Sequence, residues 1–433
     1  MIPHRPGKGT FFVHGPYVKC PACGEEQFGV LSIHDRHYTR RCKRCTHDQR
    51  FALPPLHKKI LYLDQFVISN VMKELDPASA PAAKGTNDGF YRKLFDRLDR
   101  LSKLQLLLCP QSSVQRDESV VDPRYEKLRR VLGHLSWGVG LHPPATIFHA
   151  QMLRAFNGWL ANQPPEPLEA DFAFEGRSDV WPDRLRIELN YTLPGLADAL
   201  RNIGAERDER MQRVCRHWQQ APDFDFQQVL TGEARVIALG PWEEFIAHQQ
   251  RFTAVSKGQR PYVFGELIPP PSASLITHML AALLPDDPGR INRLQGFFTS
   301  PAAQAVPYVR VSALFWATLA REVRRGRAPE KFSGSLFNDV EVIAAYAPFC
   351  NAMFVDKEVA HLTDQPELKR ELAGQARLFS LRKADQEAFF AYLTSIETSA
   401  SPEHLATVKE VYGNSWPQPY WEMLGGTAGS TPA

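Results

Sequence analysis

The amino-acid sequence predicts an α/β fold, in which a parallel sheet flanked by helices follows a small zinc ribbon and is interrupted by a mostly helical insertion. Short apolar runs alternate with amphipathic stretches over residues 57–122 and again over 306–400. That alternation is typical of parallel strands joined by helices. Two Cys-x-x-Cys pairs within residues 1–52 predict the ribbon.

Four apolar runs are the predicted strands, and two of them end in an aspartate. ILYL at 60–63 leads to Asp64, and AMFV at 352–355 leads to Asp356. The other two runs are LQLLLCP at 104–110 and RLFSL at 377–381. Apolar residues at helical spacing predict helices after Asp64, over 90–103, over 309–324, from Asn338-Asp339 onward and over 383–397.

Proline-rich breaks divide the middle of the chain, where amphipathic stretches show no repeat. This region is interpreted as a mostly helical insertion between two parts of one α/β domain. The predicted segments are 1–52 for the ribbon, 57–122 and 306–400 for the α/β domain, 123–305 for the insertion, and 401–433 for a C-terminal helix and disordered tail.

Composition and charge narrow the class of protein. The 433 residues carry a net charge of +3, with 43% hydrophobic and 23% charged residues, as in ordinary globular proteins. Residues 1–52 contain nine Lys/Arg and four Asp/Glu, a balance of +5 that suits an anionic partner. Neither a membrane-spanning run nor the apolar core of a signal peptide is present, so we expect a cytoplasmic protein with reduced thiols. Cys109, Cys215 and Cys350 are interpreted as buried structural thiols.

The spacing Cys20-x2-Cys23 and Cys42-x2-Cys45 predicts a structural zinc site. Each pair supplies two thiolates, and four thiolates complete a tetrahedral shell with no open catalytic position. His34, His37 and His47 lie nearby and are interpreted as solvated or facing nucleic acid, with metal ligation as the alternative.

Basic side chains of the ribbon are candidates for binding RNA or DNA. Cations bind phosphates, and aromatic rings stack on bases. The alternatives are that the ribbon docks onto protein, or that a module with little core merely exposes these side chains. The predicted substrate-binding residues are Arg40, Arg41, Lys43 and Arg44, with Arg36 beside them and Phe28, His37 and Tyr38 interleaved.

Four acidic residues form the predicted catalytic site. Asp64 and Asp356 end strands, and ligand sites of parallel sheets lie at that edge. Glu118 and Asp339 are placed in helices. Four carboxylates in one cleft repel one another unless cations bind between them, and Mg²⁺ or Mn²⁺ prefers such hard oxygen ligands. The alternatives are helix caps, first-turn acids and strand-end turn residues.

Four segments together resemble a bacterial PIN-like domain and cover about 150 residues. The resemblance implies a metal-dependent nuclease, most often an endoribonuclease, in which Asp64, Glu118, Asp339 and Asp356 bind Mg²⁺ or Mn²⁺. Some members of that family serve as toxins or in antiphage defence, which makes an activator, inhibitor or antitoxin protein a candidate partner. The segments are LYLDQFVISN (61–70), LLLCPQSSVQRDES (106–119), FNDVEVIAAYAPFCNAMFVDKEVAHL (337–362) and RLFSLRKADQEAFFAYL (377–393).

Further residues near this set have both a functional and a structural interpretation. Ser113 and Asn338 are candidates for contacting substrate, with helix capping as the alternative for Ser113. Glu341 is expected to point away from Asp339, and the basic segment 321–331 either holds an RNA backbone or is a solvated helix end. The rival functions are a nucleic-acid-binding regulator with an inactive PIN-like core and an aspartyl-phosphate hydrolase. The hydrolase usually needs an aspartate where this chain has Phe66.

Overall fold

The computed structural model describes residues 12–76, 89–184, 194–261, 263, 267–284 and 287–418. The predicted disordered tail lies outside these residues from 419 onward. Among the described residues, no helix combines the length and the apolar character that crossing a membrane would require.

Strands form an antiparallel sheet near the N-terminus, a parallel sheet in the body of the protein and a short antiparallel pair beside it. The strands are β1 (His14–Val18), β2 (Phe28–His34), β3 (His37–Cys42), β4 (Asp48–Ala52), β5 (Lys59–Leu63), β6 (Leu107–Leu108), β7 (Gly140–Leu141), β8 (Phe174–Glu175), β9 (Ala352–Phe354) and β10 (Arg377–Phe379).

Helices surround the parallel sheet and make up the segment that interrupts it. They are α1 (Gln65–Leu75), α2 (Phe90–Lys103), α3 (Ser113–Val120), α4 (Tyr125–Ser136), α5 (Pro144–Ala161), α6 (Leu196–Gln220), α7 (Phe226–Ser256), α8 (Pro271–Ala281), α9 (Arg290–Phe298), α10 (Pro301–Gln304), α11 (Pro307–Arg324), α12 (Ser335–Tyr346), α13 (Lys357–Thr363), α14 (Pro366–Glu371), α15 (Lys383–Thr398) and α16 (Pro402–Tyr412).

The parallel sheet joins the two distant parts of the chain. Its strand order is β10-β9-β5-β6, and each neighbouring pair is parallel. Leu63 of β5 pairs with Phe354 of β9, and the Asp64 amide donates to the Phe354 carbonyl at 3.0 Å. The carboxyl ends of both central strands therefore meet at one edge, as the predicted mixed α/β fold with a parallel sheet required.

Alternating side chains of the sheet supply two different cores, because successive residues of a strand point to opposite faces. Leu61 and Leu63 pack with Phe354 against α1, α2, α4 and α15. On the other face, Tyr62 and Met353 belong to a core that extends through α5 to α14. The interrupting segment is therefore continuous with the sheet through one shared core.

Some sequence boundaries differ from the structure for local reasons. In the run 104–110 only Leu107–Leu108 are strand, because Gln105 has a φ of 60° where the chain turns out of α2. The helix predicted to open at Asn338-Asp339 begins at Ser335, since the buried spacing of Leu336, Val340 and Ile343 extends one turn earlier. Helix α4, on the insertion side of residue 123, packs in the core of α1 and α2.

The antiparallel sheet at the N-terminus docks onto the rest of the protein. Val30, Ile33 and Tyr38 share a core with Trp181 of the interrupting segment and with Val411 of α16. The Tyr38 hydroxyl also donates to Glu410 of α16 at 2.5 Å. The ribbon therefore uses its larger apolar side chains for contact within the same chain.

Candidate metal centres: a four-cysteine cluster and an acidic cleft

The four predicted zinc ligands converge at one end of the N-terminal sheet. The Sγ atoms of Cys20, Cys23, Cys42 and Cys45 all lie within 4.8 Å of one another. Cys20 and Cys45 are 3.5 Å apart, and Cys23 and Cys42 are 3.7 Å apart. Thiolates placed tetrahedrally at about 2.3 Å from zinc would be about 3.8 Å apart. The four cysteines can therefore hold a metal such as zinc.

Local backbone geometry presents these thiols. Gly24 has a φ of 75°, which glycine adopts without a steric penalty, and its amide donates to the Cys20 carbonyl at 2.8 Å. The Arg44 amide donates to the Cys42 sulfur at 3.4 Å. Both Cys-x-x-Cys pairs therefore sit in tight turns whose ends are held by backbone hydrogen bonds.

Arg40 does not have the substrate-binding position predicted for it. Only 3% of its surface is exposed, and its guanidinium donates to the carbonyls of Pro16 at 2.8 Å, Phe28 at 3.2 Å and Glu410 at 2.7 Å. A buried guanidinium needs such acceptors, since an unpaired buried charge is costly. The prediction for Arg40 is wrong, because this side chain ties the ribbon to α16.

The other basic residues of the ribbon that were predicted to bind substrate contact neighbouring ribbon residues. Arg44 pairs with Glu25 at 2.7 Å and Arg41 with Asp48 at 3.6 Å, while Lys43 lies 4.5 Å from the centre of the Tyr17 ring. The interleaved aromatics Phe28 and Tyr38 are buried, at 2% and 3% exposure. These contacts favour the docking interpretation of the ribbon over base stacking by those two rings.

Asp64 and Asp356 leave the sheet at the same edge and also cap helices. Asp64 begins α1 and accepts a hydrogen bond from the Phe66 amide at 3.3 Å. Asp356 begins α13 and accepts from the Val359 amide at 2.7 Å. The capping alternative is therefore part of their role, and it fixes the direction of each carboxylate. A cap uses one oxygen, which leaves the other for a second partner.

Glu118 is held beside Asp64 by two glutamines. Ser112 caps α3 and forms a capping box with Gln115. The side-chain amide of Gln115 also donates to the Leu63 carbonyl. The side-chain amide of Gln65 donates to the Ser119 hydroxyl of α3 at 2.8 Å. These bonds tie α3 to the residues on either side of Asp64. Glu118 lies in the second turn of α3, so it is not the first-turn acid considered as its alternative.

Asp339 reaches the same place from the second part of the chain. Since α12 begins at Ser335, Asp339 lies inside the helix and is not its cap. Its neighbour Asn338 donates its amide to Glu118 at 2.8 Å, and Arg207 of α6 donates to the Asn338 amide oxygen. Helices α3, α12 and α6 therefore meet through one chain of hydrogen bonds.

All four predicted acidic residues line a cleft of about 880 Å³ at the carboxyl edge of the sheet. Beneath it, a small cavity of about 10 Å³ is lined by Asp64, Glu118 and Asp339 together with Tyr62. That volume suits about one water-sized particle. The acidic residues, separated widely in sequence, thus surround a common space.

Burial and mutual repulsion shift the acidities in this cleft. Asp64 and Asp339 keep some surface open to the cleft while protein atoms surround them on the other sides. Burial, with the charges of Glu118 and Asp356, raises the pKa of Asp64 to about 7. Burial, with the other three carboxylates, raises the pKa of Asp339 well above its usual value. Burial also raises the pKa of Glu118, against opposing contacts with Asn338 and Arg207.

The acidic residues differ from the cysteines in how closely they approach. Among the residues that the structure describes, the four cysteines are the one group of three or more Cys, His, Asp or Glu whose ligand atoms all lie within 4.8 Å of one another. The carboxylates line a wider space. Mg²⁺ keeps several waters and often uses only one or two protein carboxylates directly, so this spacing fits that ion better than a closed cage would.

Three further residues that were singled out near the acidic set also line the cleft. Ser113 and Asn338 both line the cleft, and the helix cap is Ser112, so Ser113 does not have the capping role considered for it. Glu341 also lines this cleft, two residues along α12 from Asp339. Burial raises the pKa of Glu341, with Arg207 opposing the rise.

The basic segment 321–331 makes contacts within the protein. Arg321 forms two hydrogen bonds to Glu367, both at 2.8 Å, and Arg324 donates to the Ala221 carbonyl at 2.7 Å. Arg327 pairs with Glu358. These bonds favour the structural interpretation of the segment over a free RNA-holding loop.

Arg207 is one of the cleft residues that sequence reasoning missed. It belongs to the segment interpreted as an unexplained insertion, where a single arginine in a charged helix carries no motif. Only the packing of α6 across the cleft reveals it.

Comparison of the chain with protein-family models, with curated proteins and with solved structures gave no match. Its function is therefore inferred from the residues of the two centres.

Proposed function

We propose that this chain is a Mg²⁺- or Mn²⁺-dependent endonuclease with a PIN-like core, and that RNA is its substrate. The observation that carries the proposal is the acidic cleft. Four carboxylates from four separate elements line one space at the carboxyl edge of a parallel sheet. Such buried like charges require protons or cations to coexist.

The residues of the cleft fit a hard divalent cation. Asp64, Glu118, Asp339 and Asp356 offer oxygen ligands of the kind Mg²⁺ and Mn²⁺ prefer. When bound, such an ion would supply charge neutralisation and activation of water for phosphodiester hydrolysis. The helix-capping bonds of Asp64 and Asp356 and the Asn338 bond to Glu118 orient the carboxylates before any ion arrives.

The remaining residues support binding and architecture. Ser113 and Asn338 line the cleft, where a hydroxyl and an amide can hydrogen-bond a substrate phosphate. The four cysteines would hold zinc in a structural role, because four thiolates leave no open position. In this proposal the ribbon serves chiefly to dock against α16.

The test uses isosteric variants, since Asn also caps helices and should preserve the fold. Single- and double-stranded RNA and DNA are incubated with wild-type protein, Asp64→Asn, Asp356→Asn and the control Asp223→Asn, which alters an exposed aspartate. We expect Mg²⁺- or Mn²⁺-dependent RNA cleavage by the wild type and the control, and background levels in the other two. Wild-type activity in Asp64→Asn, or in metal-free buffer, would contradict the proposal.

A second function is nucleic-acid binding without cleavage. Among the described residues no three carboxylates bring their ligand atoms within 4.8 Å of one another, so an ion in the cleft would take most of its ligands from water, and this second function applies where no ion is held. RNA binding by the folded, zinc-loaded protein, with no cleavage in either metal, would support this regulatory function instead.

A further inference from the structure

We propose that Arg207, on a helix of the segment that interrupts the α/β domain, binds a phosphate of the nucleic acid in the acidic cleft. The inference rests on the proposed function for its substrate, but it concerns a residue that neither the motifs nor the resemblance includes. It gives the interrupting segment a direct part in substrate binding.

The first step is the position of α6. Leu200, Ile203, Gly204 and Arg207 recur at helical spacing and all line the cleft. The following turns bury Met211 and Cys215 in the main core. Helix α6 is thus anchored by its second half, while its first half forms a wall of the cleft.

The second step is a close backbone contact that fixes this wall. The Gly334 amide donates to Asp208 at 2.6 Å. A Cβ atom at Gly334 would lie 2.6 Å from the Asp208 nitrogen and 2.7 Å from the Arg207 carbonyl carbon. No side chain fits between the two backbones, so Arg207 has a defined position relative to α12 and Asp339.

The third step is the charge of the cleft. Eight Asp or Glu residues and two arginines line it in the part of the chain that the structure describes. A polyanion entering such a space needs cations, and both arginines are on α6. Arg201 pairs with Asp198 at 2.6 Å and is exposed. Arg207 is half-buried, beside the Asn338 that donates to Glu118.

The fourth step is the hydrogen bond that Arg207 would give up in order to bind a phosphate. Its guanidinium donates to the uncharged amide oxygen of Asn338. A phosphate carries a negative charge that the amide oxygen lacks, and its oxygens can accept two parallel hydrogen bonds from the guanidinium fork. A phosphate beside Glu118 is therefore a better acceptor than the amide it would replace.

Binding is measured separately from cleavage, in the Asp64→Asn background, by fluorescence anisotropy of a labelled single-stranded RNA over a series of salt concentrations. We compare Arg207→Ala and Arg207→Lys with the control Arg213→Ala, which removes an exposed arginine of the same helix paired only loosely with Glu209 at 3.6 Å. Thermal melts of each variant verify folding.

Arg207→Ala should weaken binding about tenfold. It should also make the slope of log affinity against log salt less steep by about 0.7, the value for one phosphate contact on a single strand. Arg207→Lys should keep most of the slope and lose part of the affinity, and Arg213→Ala should match the parent. An unchanged slope in Arg207→Ala, or no RNA binding by the parent protein, would overturn the inference.

The two proposals fail in different ways. If the wild type cuts nothing but the slope depends on Arg207, the nuclease proposal fails and the phosphate contact stands. If RNA is cut and Arg207→Ala lowers only the cleavage rate, Arg207 merely positions Asn338 and the inference fails alone.

Discussion

The four-cysteine cluster and the acidic cleft are both four-residue candidate metal centres, but they are assembled differently. The cysteines come from two tight turns of one small sheet, and their sulfurs all lie within 4.8 Å of one another. The carboxylates come from β5, α3, α12 and the end of β9, and they surround a cleft. A closed set of soft ligands suits a structural ion, whereas an open set of hard ligands leaves room for water and substrate.

The two centres also differ in the hydrogen bonds that hold their residues in place. Around the cysteines the support is local backbone, such as the bond from Gly24 to Cys20. Around the carboxylates it is long-range: Gln115 reaches β5, Asn338 reaches α3, and Arg207 reaches α12. Substitutions in the cysteine cluster should therefore destabilise mainly the ribbon. Substitutions that disturb packing elsewhere should also change the geometry of the acidic cleft.

The largest expected effect comes from breaking the cysteine cluster. Cys42→Ser removes a buried thiolate, and a structural zinc site contributes about 10 kcal/mol or more to folding of its module. We expect the wild type to carry about one zinc per chain and the variant to lose it, with a separate low-temperature unfolding step for the ribbon, measured by elemental analysis and calorimetry. Cys215→Ala, which alters a buried thiol outside the cluster, should retain the zinc. Zinc retained in Cys42→Ser would refute a four-thiolate site.

The next effect tests the long-range support of the cleft. Gly334→Ala places a methyl group against the backbone of α6, and relieving such overpacking costs about 1–3 kcal/mol. Chemical denaturation should show that loss, together with weaker RNA binding. The matched control Gly232→Ala, in α7 with no atom within 4 Å of the new methyl, should be neutral or stabilising. Equal behaviour of the two variants would mean that α6 is not held at Gly334.

The smallest expected effect is on the pH dependence of stability that the carboxylates of the acidic cleft produce. A carboxyl whose pKa is raised on folding stabilises the protein fully below its unfolded pKa, near 4, and this contribution is lost as pH rises through the folded value. For Asp64 that window ends near pH 7. Metal-free protein should therefore melt higher at pH 5 than at pH 8, and Mg²⁺ should restore stability mainly at pH 8.

Asp339→Asn should remove part of this pH dependence and raise stability at pH 8, because burial and the neighbouring carboxylates raise the pKa of Asp339 well above its usual value. It should also abolish the response to Mg²⁺. The melts use resin-treated buffer, because a chelator would also take metal from the cysteines. A Mg²⁺ response in Asp339→Asn equal to that of the wild type would remove this residue from the proposed site.

Much of this protein was determined by the sequence by itself, because the signals are local. A Cys-x-x-Cys pair needs only its own turn, and the strand ends at Asp64 and Asp356 follow from the short apolar runs that precede them. Helix α2, expected over 90–103, has those bounds in the structure. The mixed α/β fold with a parallel sheet and a four-cysteine cluster was predictable for the same reason.

Only the tertiary structure decided which charged side chains face the cleft and which are buried in contacts. Arg40 and Arg207 are both arginines among other charges in the sequence, yet one binds backbone carbonyls under the ribbon and the other lines the acidic cleft. Glu341 likewise lines the cleft. Such positions depend on contacts between segments far apart in the chain, and no local periodicity or spacing encodes them.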